Sequence, residues 1–447
     1  MKKLIIAAFA ALAIPSLVCA ADGPVTLREA INLALADSHL LKAAHYEKLA
    51  AEGMVAAGRS RYFPRLSLQS GAVLSNSPSR VFMMKLDESR IDPGADFAAN
   101  TLNNPSARGD FYTSLSLEQP LVDFSIGTGL QLAGKEGEVR ESVLQLKQEE
   151  IAFKVFQAYL EIRRARAYET IAGQAVADAH EHQRLAEVRS NNGVGLKSDE
   201  LRARTASAEA EGQFIKAHND LLLAKMHLNN AVGGKAGEAL DIVDETQQMQ
   251  LTLGKNELIQ LGLVSRGDLK VVGQEVEKAG LGVESAENAY LPTVYASAAY
   301  QINDRDMPLG MDKDAWTIGL NLRWELFDGF RRKAEKNSAL AIKSAADENL
   351  ENYRKEVILQ IHESYLRRDE VGKRLEVARN ARQYADESVR LIGKRFENSI
   401  ATMVELLDAQ TALDKARANL VEVENLYALA TARIYYSAGI FLREVSK

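Results

Sequence analysis

The chain is poor in everything that interrupts a helix or staples a small fold. Nine prolines are spread over 447 residues, so long stretches contain nothing that stops a helix. The only cysteine, Cys19, lies in the N-terminal apolar stretch. Cleavage after Ala20 leaves a mature chain with no cysteine, which suits an oxidising compartment in which disulfides are not needed and leaves no cysteine cluster for a metal. Positive charge is not in excess: the formal net charge is −6 and the pI about 5.8, which argues against nucleic acid as a partner. Beyond the N-terminus no run of 18 apolar residues occurs, so no transmembrane helix is expected, and a membrane can be entered only as β-strands. No phosphate loop and no supported Ser-His-Asp set is found. The expectation is a protein that is not an enzyme and carries no cofactor or metal.

What is present begins with an export pattern. Lys2 and Lys3 precede the apolar run Leu4–Ile14, then Pro15 and Val18-Cys19-Ala20, which reads as a signal peptide over 1–20. Cys19 raises a lipoprotein reading, but Val18 precedes it where a small residue is required, so cleavage after Ala20 is preferred.

The mature chain is written twice. Tyr62-Phe63-Pro64 returns as Tyr290-Leu291-Pro292 at an offset of 228 residues (292 − 64). Leu117-Glu118-Gln119-Pro120-Leu121-Val122-Asp123 finds an echo in Leu322-Arg323-Trp324-Glu325-Leu326-Phe327-Asp328 at an offset of 205 (328 − 123). Ala158-Tyr159-Leu160 meets Ser364-Tyr365-Leu366 at 206 (365 − 159). The fall in offset places an insertion in the first copy, and the rest is a duplication. The division read from this is a first repeat at 21–232, an equatorial connector at 233–254 and a second repeat at 255–447.

Each repeat reads as helix, strand, loop, strand and helical hairpin. A helix is expected over Thr26–Ser60, with Thr26 and Glu29 as a capping box, and another over Lys255–Ala289. Arg65–Leu74 and Phe111–Leu121 alternate apolar and polar residues, and 75–110, rich in Asn, Pro, Gly and Ser, reads as a loop. Thr293–Ile302 and Trp316–Leu326 alternate likewise, so four strands of about ten residues are expected, a length that crosses an outer membrane when tilted. Phe111, Tyr112, Trp316, Trp324 and Phe327 near the strand ends lean toward interfacial girdles.

The strands run into helical stretches over 125–192 and 330–398, each roughly 100 Å long at 1.5 Å per residue. Return helices are expected over 198–232 and 402–439. Leu406, Ala409, Leu413, Ala416, Leu420, Val423, Tyr427, Ala430 and Ile434 form a heptad seam, matched in the first repeat by Phe214, Ala217, Leu221, Ala224, Leu228 and Ala231. The connecting turns, Asn192-Gly193-Val194-Gly195 and Asn398-Ser399-Ile400-Ala401, are equivalent at an offset of 206 (399 − 193). Stacked short helices beside unbroken long ones imply a cylinder. Four membrane strands cannot close by themselves, so an oligomer is required.

This order of elements, with the Tyr-x-Pro entries, the Leu117–Asp123 and Trp324–Gly329 exits and the hairpins Gly193–Asp199 and Ser399–Gln410, resembles the TolC family of outer-membrane efflux and secretion channels. The resemblance covers essentially the whole mature chain. It implies a mainly helical protein with membrane β-structure: a homotrimeric twelve-stranded barrel in the outer membrane of a Gram-negative bacterium, continued by an α-helical coiled-coil barrel through the periplasm. Its implied partners are further copies of itself, outer-membrane lipid, a periplasmic adaptor (membrane fusion) protein docking on the hairpin ends, and an inner-membrane transporter. Substrates of an efflux pump or type I secretion system pass through unchanged. Acidic residues above the turn face the closed end of the tunnel in this family, which points to Glu405 and Asp408, with Asp199 as the first-repeat equivalent of Glu405. Adaptor docking falls to Gly193, Val194, Gly195, Leu196, Ser399, Ile400, Ala401 and Thr402. The chain departs from the family pattern at Ala401, where some relatives carry a tethering arginine, and at Ser399, where glycine is expected. His180-Glu181-His182 reads as surface histidines, because i and i+2 point apart on a helix. Met83-Met84 reads as loop packing. Two alternatives from other classes are a periplasmic adaptor and a structural coiled coil of the cell envelope.

Overall fold

The computed structural model describes residues 23–243 and 249–445. The signal peptide and Cys19 lie outside them. In chain order the first half comprises α1 (Leu27–Asp37), α2 (His39–Ser60), β1 (Arg65–Ser75), α3 (Pro78–Asp87), α4 (Pro93–Asp96), α5 (Ala99–Asn103), β2 (Arg108–Val122), α6 (Phe124–Asn191) and α7 (Lys197–Ala231). The second half comprises α8 (Lys255–Ser265), α9 (Gly267–Asn288), β3 (Thr293–Asp304), β4 (Lys313–Arg323), α10 (Arg331–Glu397), α11 (Met403–Ser437) and α12 (Phe441–Val445). Paired elements match in length: 22 residues for α2 and α9, 68 and 67 for α6 and α10, and 35 for α7 and α11. No described helix is long and apolar enough to cross a membrane.

Four readings of the sequence are corrected. The helix expected over 26–60 is two helices, broken at Ser38, whose ψ of 121° leaves the helical region. The break seats another turn: a Cβ on Gly233 (φ +85°) would lie 3.1 Å from the Asp37 carbonyl oxygen. The helix over 255–289 breaks at the equivalent Arg266 (266 − 38 = 228), with ψ 122°. There Asp268 accepts from Arg266 Nε (2.9 Å) and from the Leu269 amide (2.8 Å), which fixes the start of α9. The stretch 75–110 is not an open loop but three short helices. Pro78 starts α3, whose Val81 and Met84 are buried, while Met83 is exposed. The Asp92 carboxylate caps α4 by accepting from the Gly94 amide (2.9 Å), and Phe82 meets Phe97 edge-on at 5.7 Å. Pro78, Pro93 and Asp92 therefore mark helix starts. Finally, β4 ends at Arg323, short of Leu326, because the Trp324 indole turns back to donate to the Tyr290 carbonyl (3.0 Å).

The described residues divide into two compact units, each drawing on both halves: 40–147 with 256–360, and 23–39 with 148–243, 249–255 and 361–445. The first holds one antiparallel sheet in the order β1-β2-β3-β4. Its register aligns Leu68, Leu115, Tyr300 and Trp316 in one row across all four strands and Leu66, Leu117, Ala298 and Ile318 in the next. That face is apolar and open: Trp316 is 72 % and Ile318 74 % exposed. The opposite face is polar. Ser67 and Ser116 hydroxyls bond at 2.7 Å, and Asn321 donates to Ser297 Oγ at 3.0 Å. Gly71 is needed where it stands, since a Cβ there would lie 2.8 Å from the Tyr112 ring opposite. Both Tyr-x-Pro motifs sit between helix and strand, where proline's missing N–H and its effect on the preceding residue end the helix.

In the other unit the connector is clamped from three helices. Val25 and Ile242 form a parallel bridge. Asp241 pairs with Arg166 (2.5 Å) and Lys225 (2.9 Å), and the Tyr435 hydroxyl donates to the Gln250 carbonyl (2.6 Å). In the α11 seam Leu406, Ala409, Leu413, Val423, Ala430 and Ile434 are buried, and Val371, Leu375 and Ala378 of α10 pack with Val423. In α7, Leu221, Ala224 and Leu228 are buried, whereas Phe214 remains exposed.

Sequence reading ended the last helix near Gly439, but the chain turns there (φ +67°) and α12 folds back. The Leu442 amide donates to Glu149 Oε2 at 3.0 Å, and burial pushes the Glu149 carboxyl above its ordinary pKa. Between the unfolded and the raised folded value the folded state holds more protons, so this group's contribution to stability falls as pH rises through that window. Glu149→Gln keeps an acceptor and removes the titration. The variant is expected to melt higher than the parent at pH 7–8, with the difference vanishing below the unfolded carboxyl pKa; a thermal-melt series against pH reads it.

Candidate pore and docking site at the hairpin ends

The two hairpins end in turns of the same backbone design. Gly193 has φ +72°, and Ser399, at the matching position, has φ +60°. The Arg189 carbonyl accepts from Val194 and Gly195 N–H (3.1 and 3.0 Å), as the Arg395 carbonyl does from Ile400 and Ala401 (2.8 and 3.3 Å). The left-handed conformation costs a non-glycine residue roughly 1–2 kcal/mol. At Ser399 a side-chain contact offsets it: Arg189 Nη2 donates to Ser399 Oγ (2.8 Å). Arg189 Nη1 donates to the Phe396 carbonyl (2.8 Å), and its guanidinium carbon lies 4.7 Å from the Phe396 ring centroid. The tether sought at Ala401 is thus supplied from the other hairpin. Around it Ala186 and Ala203 of the first hairpin pack with Phe396, Met403 and Leu406 of the second, and Ile392, Ala401 and Leu407 lie against this cluster.

The expected acidic residues differ in what they do. Glu405 is exposed, and its Oε2 accepts from the Thr402 amide (2.7 Å) and hydroxyl (3.0 Å), while its own amide donates to Thr402 Oγ1 (3.2 Å). This is a capping box on α11. The Thr402 amide, then its hydroxyl, hold the Glu405 carboxyl below its usual pKa. Asp408 is exposed and has no side-chain partner among the described residues. Asp199 lies in the first turn of α7, whose N-cap is Leu196, which makes no side-chain cap. Beside it is an acid that sequence reading missed. Glu200, 2 % exposed, pairs with Lys197 (2.6 Å) and Arg204 (3.1 Å). Lys197 above all holds its pKa down. Removing the cap with Thr402→Ala is expected to lower the local stability of the first turn of α11 by about 1 kcal/mol, read as faster hydrogen exchange at the Leu406 amide, with no change in the first turn of α7.

Of the residues expected to dock an adaptor, Val194, Leu196 and Ile400 are apolar and exposed. Gly193, Gly195 and Ser399 shape the backbone, and Ala401 is partly buried. The histidines part company. His180 is exposed and meets Glu211 at 3.2 Å, whereas the ring nitrogens of His182 are buried, which corrects its reading as a surface residue. Nearby, the Gln410 amide donates to Asp178 (3.1 Å) and Asp414 (3.2 Å). Burial raises the Asp414 pKa, and Arg417 and then the Gln410 hydrogen bond partly oppose the rise. No described group of three His, Cys, Asp or Glu is placed to hold a metal.

Comparison with known proteins places this geometry. Residues 30–234 and 258–439 match the family described as outer membrane efflux protein. The chain is 21 % identical over 423 residues to the proteases secretion protein PrtF of Dickeya chrysanthemi, covering 92 % of this chain and 88 % of PrtF. It is 21 % identical over 420 residues to the alkaline protease secretion protein AprF of Pseudomonas aeruginosa, covering 93 % and 84 %. Its fold is similar to the outer membrane protein VceC of Vibrio cholerae, with a TM-score of 0.74, 19 % identity and coverage of 92 % and 96 %.

Proposed function

The chain belongs to the outer membrane efflux protein family, and we propose that it is the exit duct of a type I secretion system or tripartite efflux pump, working as a homotrimer. It is an outer-membrane channel with a helical tunnel in the periplasm. Secretion is the favoured branch, because PrtF and AprF are both named for protease secretion. The observation that carries the trimer is the sheet. Its apolar face is continuous across four strands, and among the described residues β1 and β4 each have only one neighbouring strand. Lipid does not tolerate such open edges, and about eight strands are needed for a barrel just filled by side chains. Three copies supply twelve, enough for a lumen, with each repeat (21–232 and 255–447) giving two strands and one hairpin.

In this reading the hairpin turns 193–196 and 399–402 receive a periplasmic adaptor, which links the duct to an inner-membrane transporter. Glu405, Asp408 and more weakly Asp199 give the tunnel end its negative charge. Glu405 stays charged but its Oε2 is held on Thr402, whereas the exposed Asp408 is free to turn towards a passing cation. The resting channel is expected to be cation-selective and blocked by trivalent cations. Asp408→Asn should lower that selectivity more than Glu405→Gln, and the double variant most. Reversal potentials in planar bilayers test this; a double variant with unchanged selectivity and unchanged trivalent block would remove the role from both residues.

A further inference from the structure

Building on the trimer reading, we infer that the exposed face of α10 docks on α7 of a second copy through Glu370, Arg374 and Arg395, which receive Lys216, the Gly212 carbonyl and the Ser190 carbonyl of that copy. The argument comes from the duplication. Inside the chain, three of the contacts by which the first hairpin grips the second can be carried over. Arg164 of α6 pairs with Glu422 of α11 (2.8 Å). The Tyr168 hydroxyl donates to the Ala418 carbonyl (3.2 Å). Arg189 donates to the Phe396 carbonyl (2.8 Å). The offset of 206 that relates the hairpin turns (399 − 193) carries Arg164, Tyr168 and Arg189 onto Glu370, Arg374 and Arg395, and brings Glu422, Ala418 and Phe396 back onto Lys216, Gly212 and Ser190.

Each of these three contacts therefore has a chemically competent counterpart. The ion pair returns with its signs exchanged, Glu370 facing Lys216 instead of Arg164 facing Glu422. Each of the two backbone contacts returns with an arginine as donor and a carbonyl as acceptor. Within one chain these groups keep capacity: the Ser190 carbonyl accepts from the Gly193 N–H (3.1 Å) and retains a second lone pair, as the Phe396 carbonyl does beside its bond from Ser399 (2.9 Å). The side chains of Lys216 and Arg395 are exposed and have no hydrogen-bond or ion-pair partner among the described residues. Glu370 meets only Arg367 (2.8 Å) and Arg374 (3.6 Å) on its own helix, all about half exposed, and such surface pairs hold a side chain weakly. A ring in which hairpins one and two alternate needs both joints. The chain contains the first, and a second copy completes the other.

The two joints differ at the tip. The apolar Phe396, Met403 and Leu406 of the in-chain cluster become Ser190, Lys197 and Glu200 (offset 206), and Ser399 becomes Gly193. Arg395 thus finds a carbonyl in the second copy but neither a ring nor a hydroxyl at the turn. The joint between copies is polar and the more weakly latched.

The test uses thiol cross-linking, for which a mature chain cleaved after Ala20 gives no background. A charged pair keeps its backbones beyond disulfide reach, so a short bis-maleimide is the reagent. The full chain carrying Lys216→Cys and Glu370→Cys, in detergent-extracted membranes without added adaptor, is expected to give covalent dimers and trimers on denaturing gels that neither single variant gives. Arg164→Cys with Glu422→Cys should cross-link within one chain, without gain in mass. Lys216→Glu should reduce the heat-resistant trimer, and Lys216→Glu with Glu370→Lys should restore it. A parent chain that runs as a stable trimer while the 216–370 pair gives no intermolecular product would overturn this joint and leave the trimer standing. A parent chain recovered only as single copies would overturn both.

Discussion

Truncating Phe441 to alanine is expected to destabilise the protein by about 3–5 kcal/mol, among the larger effects of a single core substitution. Phe441 is the first residue of α12 and is 0 % exposed. Its ring meets Phe153 edge-on at 5.3 Å and Phe156 at 5.4 Å, and Phe153 stacks on Tyr436 at 4.4 Å. Arg433 lies over both members of that stack, at 5.5 Å from Phe153 and 5.2 Å from Tyr436. Removing one ring therefore leaves a cavity among aromatics that cannot collapse, because α6 and α11 are fixed by many other contacts. It also releases α12, whose Leu442 amide loses its hold on Glu149. Chemical denaturation of the purified channel should show a lower midpoint, and limited proteolysis should remove the C-terminal residues first. Phe441→Leu, which keeps most of the volume, should recover the larger part of the loss. Equal stability of the alanine variant and the parent would mean that α12 does not dock as described.

The duplication, the long helices and the strands were legible because each rests on periodicity within one segment. The apolar alternation of Trp316, Ile318, Leu320 and Leu322 placed β4 within a few residues. The breaks at Ser38 and Arg266 were not legible, since helix-forming residues continue across both and the turn seated against the break at Ser38, at Gly233, lies far along the chain. Helix α12 was missed because five residues carry no period. Arg189 is a different case. Its partners lie 207 and 210 residues away, and no local pattern announces them, but Arg189 and Arg395 stand at the same offset as the turns. The Thr-x-x-Glu pattern read as a cap at Thr26 and Glu29 recurs at Thr402 and Glu405, so the structural duty of Glu405 was written in the chain beside the pore role proposed for it.

Replacing Arg189 with alanine is expected to raise the resting conductance of the channel by roughly thirtyfold. The variant loses two charge-assisted hydrogen bonds and a cation–π contact between the hairpins. A hydrogen bond to a charged group contributes about 1.5–3 kcal/mol, and partial exposure at the hairpin ends trims the combined loss to about 2 kcal/mol. That is roughly thirtyfold in the ratio of latched to unlatched ends. Two further features make the loss local. Ser399 keeps its left-handed backbone (φ +60°) without the bond that offset its strain, so the second turn should loosen first. The first turn, built on Gly193, should be unaffected. Arg189→Lys should rescue little, because an ammonium lacks the planar fork that spans a carbonyl and a hydroxyl together. Arg395→Ala should have the smaller effect, since the matching position offers Ser190 and Gly193 in place of Phe396 and Ser399. Single-channel recording of the three variants, with protease sensitivity at Ser399–Ile400 as a second readout, orders them. A lysine variant that closes as well as the parent would reduce the latch to a simple charge, and equal conductance of the alanine variants at 189 and 395 would erase the distinction between the in-chain joint and the joint between copies.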